Sequence, residues 1–314
     1  MPDDLISGIY RNDPVVISKA ITIIENDIKI PNSFFNDLHS KSAHAIRIGI
    51  TGPPGAGKST LTNKLIDTFL SYNKSVGVIA VDPSSPFSGG ALLGDRVRMN
   101  QYLWDDRIFI RSMGNKGELG GLARKAHDIG DILAASGKEI ILFETVGVGQ
   151  GEHDVAKAVD LTIVVLVPES GDEIQMMKAG LIEIADAFVI NKSDREGAHR
   201  LGSLLKNILH NHSNNYKEEP PVFNTIASTG DGIVELYKGI QDLLKIMDEN
   251  GNLDSKRLER YRFRVYDIIM EKLKNKFWTD NNHSLLNSVT ESIDMINMGP
   301  YSMAEQLMNS NSSD

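Results

Sequence analysis

Gly52-Pro53-Pro54-Gly55-Ala56-Gly57-Lys58-Ser59 satisfies G-x-x-x-x-G-K-[ST] at every fixed position. Glycines at those places let the backbone curl until successive N–H groups point inward, as phosphate oxygens require. Residues 46–51 before the motif read as an apolar strand, and an amphipathic helix follows from Lys58. The positive end of that helix adds to the anion site. On this reading Lys58 bridges the β- and γ-phosphates and the Ser59 hydroxyl ligates Mg²⁺. Thr60 donates to the α-phosphate from the first helical turn. The competing reading is a Gly/Pro-rich turn that carries Lys-Ser by chance, and the strand–loop–helix context speaks against it. A nucleoside triphosphate site is expected.

The base is addressed further on. Asn191-Lys192-Ser193-Asp194 ends a second apolar run, roughly 130 residues after the phosphate loop. A carboxylate at Asp194 accepts from guanine N1–H and the 2-amino group, whereas adenine would face it with a lone pair. Such a polar mismatch is heavily disfavoured. Asn191 would tie loops together and the Lys192 stem would lie along the base. Alone, N-K-x-D is as well explained by a helix cap after a strand; behind a phosphate loop it points to guanine. Ile226-Ala227-Ser228 follows another strand, at 222–224, where backbone N–H groups would meet guanine O6. GTP and GDP are the expected ligands.

Three carboxylates and a glutamine complete the set. Glu144 terminates an apolar strand and opens Glu144-Thr145-Val146-Gly147-Val148-Gly149-Gln150, with Gln150 a candidate for orienting water. Asp82 terminates the strand at 76–81, and Asp95 follows in Gly94-Asp95-Arg96. Asp95 is equally well read as a surface carboxylate. Asp82 and Glu144 end buried strands and need a partner there, for which hydrated Mg²⁺ is suited.

The elements that must hold these groups follow from periodicity. Strands are expected at 46–51, 76–81, 108–111, 140–145, 162–167, 187–191 and 222–224, several apolar on consecutive positions as in parallel strands covered on both faces. Helices are expected at 58–72, 119–136, 173–185, 195–211 and 233–247. This alternation specifies a three-layer α/β domain with a mostly parallel sheet, its ligands at the strands' carboxyl ends. Three regions result: a helical N-terminal extension at 1–44, the α/β domain at 45–250, and a helical C-terminal region at 251–314. In the first, Asp13-Pro14 is a helix start, and Val16, Ala20, Ile23 and Ile24 form one stripe, with Pro31 as the stop. In the last, helices are expected at 255–276 and near 285–296, with a fraying tail at 309–314.

Composition sets outer limits. The 314 residues carry 33 Lys plus Arg against 42 Asp plus Glu, a net charge of −9, which argues against a nucleic-acid partner. There is no cysteine, so disulfides, thiolate nucleophiles and Cys-ligated zinc or iron–sulfur clusters are excluded. No apolar stretch approaches the ~18–20 residues needed to span a bilayer, and the N-terminus lacks a secretory signal pattern. A globular, cytoplasmic protein with no membrane partner is expected.

The chain resembles the MeaB/ArgK/methylmalonic aciduria type A family of P-loop GTPases over nearly its whole length. The resemblance is carried by GITGPPGAGKST, VDPSSPFSGGALLGDRVRM, RSMGNKGELGGLA, ETVGVGQGE, PESGDEIQMMKAGLIEIADAFVINKSD, the N-terminal SKAITIIEN and the late MGPYSMAEQLM. It implies a GTPase that chaperones an adenosylcobalamin-dependent acyl-CoA mutase, foremost methylmalonyl-CoA mutase, gating cofactor delivery and protecting or reactivating the enzyme. It assigns Mg²⁺ or switch roles to Asp82, Asp95 and Glu144. It makes 170–178 a segment reporting nucleotide state, with Lys178 reaching the active site, and implies a homodimer joined through the C-terminal helices. Lys116 and Glu118 stand where the family pattern has Arg and His, Ser170 where it has Ala, and Ile226 where it has Ser. These departures bear on partner coupling rather than on GTP binding.

Other readings carry less. His127, His153, His199, His210 and His212 are better explained by solvated surface than by a metal site, and the eleven methionines by packing. Lys256, Arg257, Arg260, Arg262 and Arg264 read as a solvated helix face, or as a contact for a partner or second copy. A small-molecule kinase linked to amino-acid transport would need an acceptor pocket and a base, for which no residue set is found. A metallochaperone GTPase would favour a dense His or Cys tract, which is lacking.

Overall fold

The computed structural model describes residues 2–82, 101–102, 105–114, 121–145, 151–168, 180–212, 219–291, 293 and 298–310. Its strands are β1 (Ile46–Thr51), β2 (Val76–Asp82), β3 (Ile108–Gly114), β4 (Ile140–Thr145), β5 (Leu161–Leu166), β6 (Ala187–Asn191) and β7 (Val222–Thr225). Every residue of β4, β5 and β6 is buried. That follows from their sequences: consecutive apolar residues alternate between two covered faces, so neither face can be left to water. All pairings are parallel, in the order β3-β2-β4-β1-β5-β6-β7.

The helices are α1 (Pro2–Tyr10), α2 (Pro14–Glu25), α3 (Asn32–Ser42), α4 (Lys58–Ser71), α5 (Gly121–Ala135), α6 (Gly151–Ala158), α7 (Leu181–Ile184), α8 (Ala198–His212), α9 (Ile233–Glu249), α10 (Asn252–Phe277), α11 (Asp280–Ser288) and α12 (Pro300–Ser310). On one face of the sheet, Ile48, Ile50, Leu142 and Ile163 pack with Leu61, Leu65 and Phe69 of α4 and Leu236 and Ile240 of α9. On the other, Ile79, Ile141 and Phe143 meet Ile129, Ile132 and Leu133 of α5, and the N-terminal helices close the same cluster with Ile17, Ile21, Phe34 and Leu38. Each such side chain contributes about 1.5–3 kcal/mol when fully buried. The N-terminal helices are thus a further layer on α5, held also by Glu25 to Arg111 and by Asp27 to Arg124 and Lys125.

Asp13 caps α2 by accepting from Val15 N–H (2.9 Å) and Val16 N–H (3.2 Å), with Pro14 in the first turn. That helix ends at Glu25, earlier than Pro31, because Asn26 closes the last turn and Asp27 takes a left-handed φ of 53°.

The chain divides into two compact units, Met1–Arg260 and Tyr261–Asp314. In the second, α11 starts at Asp280 under a Thr279 cap, ahead of the helix expected near 285–296, because the capping hydroxyl sets the start. α12 was not anticipated: Pro300 opens it in the way proline opens helices, while Met303 and Leu307 are buried. Met270, Met298 and Met308 are exposed, so packing does not account for every methionine.

The basic cluster is corrected in part. Lys256 binds Asp186, and Arg260 binds Asp160, with Arg257 3.7 Å away. Asp160 and Asp186 directly precede β5 and β6, and they also accept the N–H groups of Arg47 (2.8 Å) and Thr162 (2.7 Å). Asp160 is fully buried. These cations are therefore internal partners of the strands rather than a solvated face. Asp160→Asn should destabilise the protein by about 2–4 kcal/mol, since Arg260 would keep a largely buried, uncompensated charge. Urea melts read this directly, and an unchanged midpoint would refute it.

Candidate nucleotide site

The phosphate-loop residues emerge from β1 and lead into α4. Gly52 and Gly57 hold φ of +136° and +82°. A Cβ on Gly52 would lie 2.1 Å from Val165 O, and one on Gly57 would lie 2.4 Å from Asn191 Nδ2, so side chains are excluded at both. Gly57 also caps α4 without a side-chain acceptor, which leaves that helix start open to an anion. Pro54 and Gly55 are exposed at the tip, Pro53 is half-buried and Ala56 is buried. Lys58 is buried, and its Nζ donates to Gly52 O (2.7 Å) and Pro53 O (2.9 Å). The ammonium is therefore stationed on the loop itself. Thr60 is exposed in the first turn of α4.

Ser59 Oγ donates to Glu144 Oε1. Register explains the meeting: Glu144 pairs with Ile50 on β1 and with Ala80 on β2, so β4 ends beside the start of α4. A hydroxyl and a buried carboxylate at one point are the hard oxygen donors that suit Mg²⁺. One residue on, Thr145 Oγ1 donates to Thr51 Oγ1 at 2.9 Å. The backbone of Asp82 ends β2 next to β4, in register with Gly114 of β3. Its side chain, together with Asp95, Gln150 and Lys178, lies outside the described residues, as do Lys116, Glu118 and Ser170.

Asn191 braces the base side. Its Nδ2 donates to Ala56 O (2.8 Å), while its Oδ1 accepts from Ala227 N–H (3.0 Å) and from the Thr225 hydroxyl (3.2 Å). One buried amide thus joins the phosphate loop to the turn after β7. Lys192 holds a left-handed φ of 54°, Ser193 N–H bonds Thr225 O (3.1 Å), and Asp194 is exposed at the rim. Ile226 N–H is taken by Asp231 O (3.0 Å) and Ala227 N–H by Asn191. Among the described residues this leaves Ser228 N–H without a bond inside the turn. Thr51, Thr145 and Thr225 were not singled out from sequence. Their signal was position: each is the last residue of a strand feeding a site loop.

The histidines assemble differently. His127, Asp128 and Asp131 bring ligand atoms within 4.8 Å of one another on α5. Arg47 already binds Asp131. Burial would raise the Asp131 carboxyl, but the charge of Arg47 and the His127 contact outweigh it and hold Asp131 well below the usual carboxylate range. A metal ion would have to displace that guanidinium. His210 pairs with Glu219 at 2.9 Å, and the side chain of His212 is outside the described residues. No helix among the described residues is long and apolar enough to cross a membrane.

An all-parallel sheet whose first strand runs through a glycine-rich loop into a helix headed by Lys-Ser, braced to a guanine-type loop, makes the chain a P-loop nucleotide-binding protein of the GTPase class. Residues 17–282 match the sequence family described as methylmalonyl-CoA mutase-associated GTPase MeaB. The chain belongs to that family, and it is a GTPase that binds GTP and GDP. A Pyrococcus horikoshii relative is 41% identical over 98% of this chain and 97% of its own length. The mouse methylmalonic aciduria type A homolog, mitochondrial, is 33% identical over 88% of this chain and 71% of its own. GTPase ArgK of Escherichia coli is 32% identical, covering 81% and 80%. A crystal structure described as a LAO/AO transport system kinase superposes with a TM-score of 0.72 at 24% identity, over 99% of this chain and 98% of that one, a likeness of fold alone.

Proposed function

We propose that this GTPase is a nucleotide-driven switch for an adenosylcobalamin-dependent acyl-CoA mutase, foremost methylmalonyl-CoA mutase. In that role it gates cofactor delivery and protects or reactivates the enzyme. The observation that carries the proposal is the family match over 17–282, which runs from within α2 through the whole sheet and α10. The mouse relative's name supports the same direction. Phosphate binding falls to Gly52–Gly57 backbone groups, Lys58 and Thr60. Base recognition falls to Lys192, Asp194 and, in the turn at 226–228, the Ser228 N–H, braced by Asn191.

Mg²⁺, when bound, neutralises charge on the phosphates during in-line attack by water. Ser59 and Glu144 would hold it, with Asp82 and Asp95 in metal or switch roles, Gln150 orienting water and Lys178 reaching the site. Glu144→Ala or Asp82→Ala should raise the Mg²⁺ concentration for half-maximal GTPase by roughly tenfold or more. Unchanged Mg²⁺ titrations in both would remove them from the metal role. A homodimer in the cytoplasm belongs to the same reading. Leu258, Tyr261, Tyr266, Ile269 and Leu273 of α10 are exposed apolar side chains that a second copy would cover.

The deciding experiment is a pull-down and GTPase assay with a cobalamin-dependent mutase of the same organism, using labelled GTP. Nucleotide-dependent binding and stimulated release of inorganic phosphate are expected. By linkage, whatever factor GTP imposes on mutase affinity the mutase must impose on GTP affinity. Absence of both effects with every such mutase would sink the switch and leave the GTPase. Transfer of label to a small acceptor would replace it with a kinase.

A further inference from the structure

β1 and β4 are neighbours whose connections leave in opposite directions: β1 leads to β2 on one side, β4 to β5 on the other. In a parallel sheet a ligand sits at the carboxyl ends flanking such a crevice. The β1–β4 ladder runs from Ile46↔Ile140 to Ile50↔Glu144. Beyond it Thr51 is in register with Val164 of β5, and Thr145 with Val81 of β2. The β1–β4 ladder therefore ends one residue before the phosphate loop begins. The Thr145–Thr51 hydroxyl bond, 2.9 Å long, carries the contact between the strands that one residue further. Thr51 is fully buried and Thr145 is 6% exposed, so water does not compete for the bond.

Two bonds thus hold the end of β4 against the phosphate loop: Glu144 to Ser59 on the helix side, and Thr145 to Thr51 on the strand side. Under the site reading above, Ser59 would serve the metal when nucleotide is bound, and its bond to Glu144 would then be given up. Among the described residues neither threonine hydroxyl has another hydrogen-bond partner. Their bond can persist through the cycle and keep Glu144 aligned with Ser59 and Lys58. We propose that Thr145, acting through Thr51, is a positioning residue for GTP hydrolysis.

The proposal rests on the assignment of Lys58, Ser59 and Glu144 to the phosphates and metal, and the test separates the two. Thr145→Val is isosteric and removes the donor. It is expected to lower kcat by about tenfold while GTP and GDP affinities stay within about twofold, because alignment and not binding is lost. Thr145→Ser keeps the hydroxyl and should restore most of the rate while losing a methyl. Thr51→Val combined with Thr145→Val leaves no orphaned hydroxyl. It should fold even if the single variant does not, and should be about as slow as Thr145→Val alone. An unchanged kcat in Thr145→Val and in the double variant would overturn the proposal. So would equal losses in the Val and Ser variants, or a fall in nucleotide affinity matching the fall in rate. Loss of turnover and nucleotide binding in Lys58→Ala upholds the site independently. If Lys58→Ala is as active as the unmodified protein, the site reading fails, and the positioning role with it.

Discussion

Asp194→Asn is expected to exchange guanine for xanthine selectivity. The carboxylate lies at the rim of the base turn, just after a Lys192 whose left-handed backbone turns the chain there. A carboxylate is an acceptor only, and guanine presents it with two donors. The asparagine amide offers one acceptor and one donor group, so it meets guanine's amine with an N–H. Xanthine carries a carbonyl at that carbon and accepts from the amide. Hydrogen bonds to a charged group are worth about 1.5–3 kcal/mol each, so losing the one to the amine and weakening the one to N1–H amounts to roughly 10–10³ in affinity. GTP and GDP titrations should weaken by that factor and xanthine nucleotides should strengthen. The same titrations test the base assignment: ATP bound by the unmodified protein as tightly as GTP would reject it.

Lys58→Ala is expected to remove useful turnover. The ammonium is buried and held by two loop carbonyls, at 2.7 and 2.9 Å, at the first residue of α4. It is thus stationed before any phosphate arrives and costs little reorganisation when charge develops on the γ-phosphate. Removing one preorganised donor of this kind typically costs about 10²–10³ in rate. Single-turnover GTP hydrolysis measures the loss, and a melt of the nucleotide-free protein checks that the fold survives. A rate within twofold of the unmodified protein would show that the charge lies elsewhere.

Features whose parts are contiguous in the chain were legible from sequence. The phosphate loop is eight consecutive residues with its strand before it and its helix after it, so local chemistry suffices to find it. The seven strands were legible for a similar reason, since consecutive apolar residues have few other places to go than a sheet covered on both faces. The Asp13-Pro14 start of α2 is chemistry between neighbours three residues apart. The basic residues at 256–264 show the opposite case. Their spacing fits an exposed helix face, and nothing nearby in the chain reveals that Asp160 and Asp186 lie beneath three of them.

The same division runs through the site. Residue types alone singled out Lys58, Ser59, Asn191 and Glu144 as candidates for phosphate, metal and base. Only the tertiary structure decided their partners: Asn191 with Ala56 across 135 residues, Ser59 with Glu144 across 85, and Thr145 with Thr51 across 94. These pairings are set by which strands lie side by side and in what register. Register is fixed by the summed burial of two sheet faces, a cooperative quantity that no short stretch of sequence contains.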